Sequence, residues 1–313
     1  MSAPAAGSAL RIATRKSVLA LWQAEHVAQA LRRAHAGLRV DLAPMTTKGD
    51  RILDRSLAAI GGKGLFIKEL EAALVERRAD MAVHSMKDVP GELASGLSIA
   101  AMLPREDARD ALIARDARGI SDLPQGARLG TSSLRRRAQL LAARPDLSIE
   151  ILRGNVDTRL RRLDAGELDA IVLACAGLIR LGLEARITTR LGPEISLPAV
   201  GQGVIGIECR TEDSRMRALL APLDDAATHV AVEAERAFAR RLGGSCQSPI
   251  AAWARVDAGR LMLDGLVAEP DGSRLLRDSI SGTPSDAERL GRELAERVLA
   301  AGAGELLERL RSA

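Results

Sequence analysis

Short apolar runs alternate along the chain with stretches in which apolar residues recur every three or four positions. "LRIAT" (10–14) reads as a strand, and "SVLALWQAEHVAQALRRA" (17–34) as a helix with one apolar face. The pattern continues with a strand at "LRVDLAPM" (38–45), a helix over "GLFIKELEAALVERRA" (64–79), a buried strand at "DMAVHSM" (80–86) and another at "LSIAAML" (97–103). Strand-helix alternation of this kind predicts a parallel or mixed sheet covered on both faces.

A second block repeats the first. "ARLGTSSLRRRAQLLAARP" (127–145) has the strand-turn-helix pattern of "LRIATRKSVLALWQA" (10–24), and "AGELDAIVLACAGL" (165–178) echoes "ERRADMAVHSM" (76–86). Two related α/β domains are therefore expected. The chain is expected to cross between them near "PREDARD" (104–110) and to return through "ISLPAVGQGVIGIECR" (195–210). Two crossings predict a hinge and a cleft, the architecture of periplasmic-binding-protein-like folds, with ligands outside the carboxyl ends of the strands. The remainder differs in pattern. It holds a helix at 227–242, three antiparallel strands at 250–256, 260–268 and 274–282, and closing helices at 285–302 and 304–311, which predict a small α+β domain. The expected division is 1–104 plus 202–222, 105–201, and 223–313.

Composition narrows the chemistry. The 313 residues are 47% hydrophobic but include only two Trp, two Phe and no Tyr, so the cores must be aliphatic and few rings remain to stack on nucleobases. Lys and Arg total 45 against 41 Asp and Glu, a net charge of +4, with arginine far outnumbering lysine. Such a balance disfavours a nucleic-acid partner, while the arginine bias favours planar, bidentate recognition of oxyanions. No apolar run approaches the roughly 20 residues of a membrane-spanning helix, and the opening segment lacks the features of a secretory signal, so a cytoplasmic protein is expected. Cys175, Cys209 and Cys246 are odd in number and far apart, and the four histidines form no i,i+4 pair, so neither a disulfide framework nor a metal site is signalled.

Several stretches could carry chemistry. "VHSMKDVPGEL" (83–93) places Lys87 and Asp88 just after a buried strand, either as a solvated ion pair or as a functional pair at a strand's carboxyl end. His84, inside that strand, reads as a satisfied core histidine. "LGTSSLRRRAQ" (129–139) starts a helix with Thr131 and Ser133 followed by Arg135, Arg136 and Arg137. Arginines in a first turn oppose the helix dipole, so they point to an acidic ligand, which the N-terminal N–H groups also suit. "ILRGNVDTRLRRL" (151–163) repeats the theme with Arg153 and Arg159, and Arg15 holds the matching place in the first block. "GGKGLF" (61–66) lacks the spacing of a P-loop and reads either as a mobile lid containing Lys63 or as a surface turn. Cys246 lies in "RRLGGSCQSPIAA" (240–252), a loop in which neither helix nor strand forms easily.

Taken in order, "RIATRKSVLALWQA", "KGLFIKELEAAL", "AVHSMKDVP", "GTSSLRRRAQL", "LRGNVDTRL", "LPAVGQGVIGIECR" and "GGSCQSPIAA" closely resemble the porphobilinogen deaminase family from about residue 10 to the end. The resemblance implies a monomeric enzyme that joins four porphobilinogen molecules head to tail with loss of ammonia, giving hydroxymethylbilane for tetrapyrrole synthesis. It also implies a dipyrromethane cofactor held by a thioether to Cys246, a thiolate being nucleophilic enough to form such a bond. Asp88 takes the place of the catalytic carboxylate. Arg15, Ser17, Lys87, Thr131, Ser133, Arg135, Arg136, Arg153, Arg159 and Arg180 match positions that hold the acetate and propionate groups of the pyrroles. Ser245 departs from the glycine common before the cysteine, and Asp157 adds an acid beside Arg159. A non-catalytic solute receptor shares the two-lobed anion-binding plan, and a nucleic-acid binder would show steep salt dependence.

Overall fold

Five strands in the order β2-β1-β3-β10-β4 form the first sheet: β1 (Leu10–Arg15), β2 (Val40–Met45), β3 (Met81–Ser85), β4 (Leu97–Met102) and β10 (Ile205–Arg210). The computed structural model describes residues 9–51, 64–244 and 248–312. β1 pairs in parallel with β2 and β3, whereas β10 runs antiparallel between β3 and β4. Side chains alternate across the sheet. Ile12, Met81, Val83 and Ile207 pack with Val27 and Leu31 of α1 (Val18–Ala34), while Ala13 and Ala82 face Leu70 and Leu74 of α2 (Lys68–Val75). The predicted helix over 64–79 is thus shorter than its pattern. Arg77 adopts a left-handed conformation (φ 56), its N–H bonds to Leu74 O and that of Arg78 to Ala73 O, which closes the helix with a Schellman turn.

A second five-stranded sheet, β7-β6-β8-β5-β9, repeats this plan. β6 (Arg128–Gly130) is parallel to β7 (Ser148–Glu150) and β8 (Ala170–Ala174), and β5 (Asp110–Ala114) lies antiparallel between β8 and β9 (Thr189–Leu191). In each sheet the antiparallel strand is the one that follows a crossing of the chain. Periodicity alone leaves β5 unmarked, because "DALIA" is too short and too uniformly apolar to distinguish from a helix fragment. Ile113, Ile171 and Leu173 face α4 (Val156–Asp164) and α5 (Cys175–Arg180), and Leu112, Leu129 and Val172 face α3 (Leu134–Ala143).

β11 (Ile250–Asp257), β12 (Arg260–Ala268) and β13 (Leu275–Gly282) form an antiparallel sheet. One face packs on Phe238 of α6 (Ala226–Arg241) and on Leu290 and Leu294 of α7 (Ala287–Val298). Gly291 permits the close approach of these helices, since a Cβ there would lie 2.3 Å from Ala234 O. The opposite face, through Ala251, Leu266 and Ala268, meets Ala138 and Leu197. Contacts divide the chain into two compact units. One comprises Met1–Ile52, Gly62–Pro104 and Val204–His229, and the larger includes both Arg105–Gly203 and the C-terminal sheet from Val230.

Within the larger unit, the buried carboxylate of Glu235 accepts from Arg105 Nη1 and Nη2 (2.7 and 2.9 Å) and from the N–H groups of Gly201 and Ala254 (both 2.7 Å). Four donors around one buried anion leave no cheap substitute. Glu235→Gln is expected to destabilise the protein by about 3 kcal/mol, read as a lowered urea midpoint, because it uncouples a buried pair. A midpoint equal to the parent's would show that the pair is replaceable.

Candidate active site

The parallel strands of each sheet end on a common edge, and the candidate residues fall into two groups on those edges. In the first unit, β1 ends at Arg15, Ser17 caps α1 by accepting from Ala20 N (3.3 Å), and β3 runs into a 3-10 turn, Met86–Asp88. Lys87 and Asp88 are both partly exposed. The Asp88 carboxylate has no hydrogen bond or ion pair among the described residues, in a protein where most acids are paired. Behind it, buried His84 lies 2.9 Å from Glu208 Oε2 (Nε2), as expected of a core histidine.

Arg15 has two partners that the sequence did not reveal. Its guanidinium forms an ion pair with Asp50 and lies 4.2 Å above the centre of the Phe66 ring. Burial alone would push the Asp50 carboxyl up, but hydrogen bonds from Arg15 and Thr47 outweigh it and hold the group below the ordinary range. Asp50 and Phe66 are distant in sequence from Arg15 and carry no motif, so only the folded chain identifies them.

In the larger unit the loop after β6 is built from local hydrogen bonds. Ser133 N donates to Thr131 Oγ1 (3.2 Å), and Ser133 Oγ caps α3 by accepting from Arg136 N (3.4 Å). Arg137 points outward, but Arg135 and Arg136 are buried. Arg136 donates through Nε and Nη2 to Asp110 Oδ1 (3.0 and 2.7 Å) and through Nη1 to Val172 O (3.0 Å). Arg135 Nη1 meets Asp110 Oδ2 (2.8 Å) and Leu197 O (2.6 Å). The acid that these misplaced arginines face is therefore, in the first instance, one of the chain's own. Burial would raise the Asp110 carboxyl, yet Arg135 and Arg136 hold it far below its ordinary value.

Arg153 lies past β7 in the irregular segment that leads to α4, and burial lowers its guanidinium's proton affinity. Arg159, in the first turns of α4, donates from Nε to Gly154 O (2.8 Å). Arg180 ends α5 and donates to Gly203 O (2.6 Å), and burial pushes its pKa down to about 10 against the opposing pull of Glu106. Gly203 has φ 88, and a Cβ there would sit 2.4 Å from Glu106 O, so the residue must be glycine. Cys246 and Lys63 lie outside the described residues.

Depressed carboxylates define an expected pH response. Asp110, Asp107 and Asp213 have folded pKa values below the ordinary 3.8, so the stability they contribute is complete above about pH 4 and is lost as pH falls through the folded values. Urea midpoints should be level between pH 7 and about pH 5 and fall below about pH 4. Stability that rises on acidification would contradict this assignment.

Each unit carries charged groups at its strand ends, a carboxylate without a partner among the described residues in one and buried arginines in the other, and such groups suit chemistry on anionic molecules. Comparison with known proteins makes the class specific. The porphobilinogen deaminase dipyromethane cofactor binding domain matches residues 10–218, and the porphobilinogen deaminase C-terminal domain matches residues 229–300. The chain belongs to the porphobilinogen deaminase family. It is a polymerising transferase of tetrapyrrole biosynthesis with hydroxymethylbilane synthase activity and a dipyrromethane cofactor. Among solved structures it is similar to the periplasmic VFT2 domain of Bordetella pertussis BvgS, at 16% identity over 68% of this chain and 85% of that one, TM-score 0.41. It is also similar to the aliphatic sulphonate binding protein SsuA of Escherichia coli, at 13% identity over 75% of this chain and 70% of that one, TM-score 0.39.

The donor set fits a multiply carboxylated cofactor. At the start of α3 two buried guanidiniums share one buried carboxylate, one negative charge for two positive ones among the described residues, and Arg180 carries its charge against a burial penalty. An anionic group relieves both costs. No helix among the described residues is long and apolar enough to cross a membrane.

Proposed function

We propose that Asp88 is the catalytic carboxylate of the condensation and that Cys246 holds the dipyrromethane through a thioether. The observation that carries the reading is the Asp88 carboxylate itself: partly exposed at the end of β3, beside Lys87, and without a partner among the described residues. A carboxylate placed in this way is available to accept a pyrrole N–H and to steady the positive charge that develops on the ring as ammonia leaves. It also suits the removal of the ring proton that follows carbon–carbon bond formation. When bound, the dipyrromethane supplies the unsubstituted pyrrole carbon to which the first substrate ring is joined.

Support for Cys246 comes from the other two thiols. Cys175 is buried, and its thiol is pushed up to about 12 by burial, with Asp107 and Asp110 adding to the effect. Cys209 is buried in β10 and pushed up to about 11, again by burial and then by Asp213. Neither supplies an appreciable thiolate near neutral pH. In this reading the acetate and propionate groups are received by Arg15, Ser17 and Lys87 in the first unit and by Thr131, Ser133, Arg135, Arg136, Arg153, Arg159 and Arg180 in the larger. Serine and threonine act there through hydroxyls or the N–H groups that their caps arrange, and arginine through its planar fork. We read the protein as a cytoplasmic monomer.

The test combines incubation with porphobilinogen and intact mass. Ammonia release, together with a protein mass above that of the polypeptide, is expected. A fully active protein of unmodified mass would remove the thioether, and a loaded protein that releases no ammonia would remove the catalytic role.

A further inference from the structure

Asp110 is fully buried, and its carboxylate is surrounded by donors from several stretches of the larger unit. Its Oδ1 accepts from Arg136 Nε and Nη2 (3.0 and 2.7 Å) and from Gln202 Nε2 (2.9 Å). Its Oδ2 accepts from Ser196 Oγ (2.7 Å) and lies 2.8 Å from Arg135 Nη1. Five donors from three separate stretches of chain saturate the roughly four lone-pair sites of a carboxylate, so its plane is fixed. Gln202 Nε2 also donates to Ala108 O (2.7 Å), and Gln139 ties the same region together by accepting from Leu197 N (2.7 Å).

Two features of this knot exceed what packing requires. First, one negative charge is set against two positive ones in a buried place, and a cluster of that kind is stable only if a further anion is at hand or the excess charge is tolerated at a cost. Second, the guanidinium of Arg135 is held from one end. Its hydrogen bonds to Ser196 Oγ and Leu197 O, and its closest approach to Asp110, are all made by Nη1. Among the described residues neither Nε nor Nη2 makes a hydrogen bond, and these two form the edge suited to a bidentate carboxylate.

We propose that Asp110 is a positioning residue for the reaction. It grips Arg135 and Arg136 from inside the protein, orients the outer edge of Arg135 toward a carboxylate of the pyrrole chain, and trims the charge of the pair from two to one. Each pyrrole carboxylate then meets an oriented receptor of matching charge. This inference rests on the reading that the arginine pair receives pyrrole carboxylates.

The experiment uses the full chain with its cofactor and compares the parent with Asp110→Glu and Asp110→Asn by intact mass, thermal midpoint and steady-state kinetics with porphobilinogen. Asp110→Glu keeps the charge but displaces the grip by one methylene. It is expected to keep its fold and to raise KM by about tenfold or more, with kcat within about threefold, since small misplacements of positioning groups carry penalties of that order. Asp110→Asn, if it folds, is expected to carry the cofactor mass in less than about a tenth of molecules, with the glutamate variant restoring loading. An Asp110→Glu protein with the parent's KM, or one as unstable as Asp110→Asn, would make the residue purely structural and overturn the proposal. If Asp110→Asn does not fold, the KM of the glutamate variant decides alone. A parent that neither carries added mass nor releases ammonia refutes the functional reading itself, an outcome separate from failure of the variants.

Discussion

Asp88→Asn is expected to lower kcat for porphobilinogen consumption by about a thousandfold, to leave KM within about a few-fold of the parent and to leave the thermal midpoint unchanged. The magnitude follows from the two roles that an unpartnered carboxylate takes here. Stabilising the positive charge on the ring that loses ammonia and moving the ring proton together contribute about a thousandfold, since the amide can still accept a pyrrole N–H and only part of the charge stabilisation is lost. The unchanged stability follows from the same geometry, because the side chain makes no hydrogen bond or ion pair among the described residues whose loss the fold would register. The neighbouring packing is independent of the charge: Met86 is buried and Val89 N bonds to Met86 O (3.1 Å), so the turn keeps its shape with an amide at 88. The check is an ammonia-release assay on loaded protein with a melting curve beside it. Ordinary turnover in the variant would place the reacting carboxylate elsewhere.

Cys246→Ala is expected to yield a protein whose mass is that of the polypeptide alone and whose turnover falls to background. The other thiols do not compensate. With pKa values near 12 and 11, Cys175 and Cys209 are thiolates in roughly one molecule in 10^5 and 10^4 at pH 7, and both are enclosed by packed side chains. Cys175→Ala and Cys209→Ala should therefore load as the parent does, with any effect confined to stability. Mass spectrometry of the three variants separates the thiols directly. A Cys246→Ala protein that still carries the added mass would exclude the assigned attachment point.

The sequence and the structure agree best where a local pattern is strong and long. The amphipathic run of α1, the alternating strands of the C-terminal sheet and the repeated strand-turn-helix blocks are legible because burial imposes their period on residues close together in the chain. Short elements escape this logic. β7 and β9 have three residues each and β5 five, too few for any period to show. The apolar spacing overextends the 64–79 helix because it persists beyond the point at which Arg77 turns the backbone to positive φ.

The candidate site divides in the same manner. Ordered motifs place Arg15, Asp88, Arg135 and Arg136 at element ends, and the structure has them there, whereas Arg180, which lies in none of those motifs, closes α5. Asp110 was one acid among several in "PREDARD", and nothing local sets it apart, since its partners Arg136, Ser196 and Gln202 lie 26, 86 and 92 residues away. Asp50 and Phe66 around Arg15 were hidden for the same reason.

By itself, the sequence determined the family, the duplicated α/β plan and the element ends at which Arg15, Asp88, Arg135 and Arg136 stand, because these reside in spacing and residue type. Only the tertiary structure decided which charges are already answered inside the protein. Whether an arginine faces a ligand, a backbone carbonyl or a buried aspartate depends on chain segments that sequence distance separates and folding brings within 3 Å. Electrostatic energy follows that spatial distance and the dielectric around it, and neither is encoded in any local window of residues.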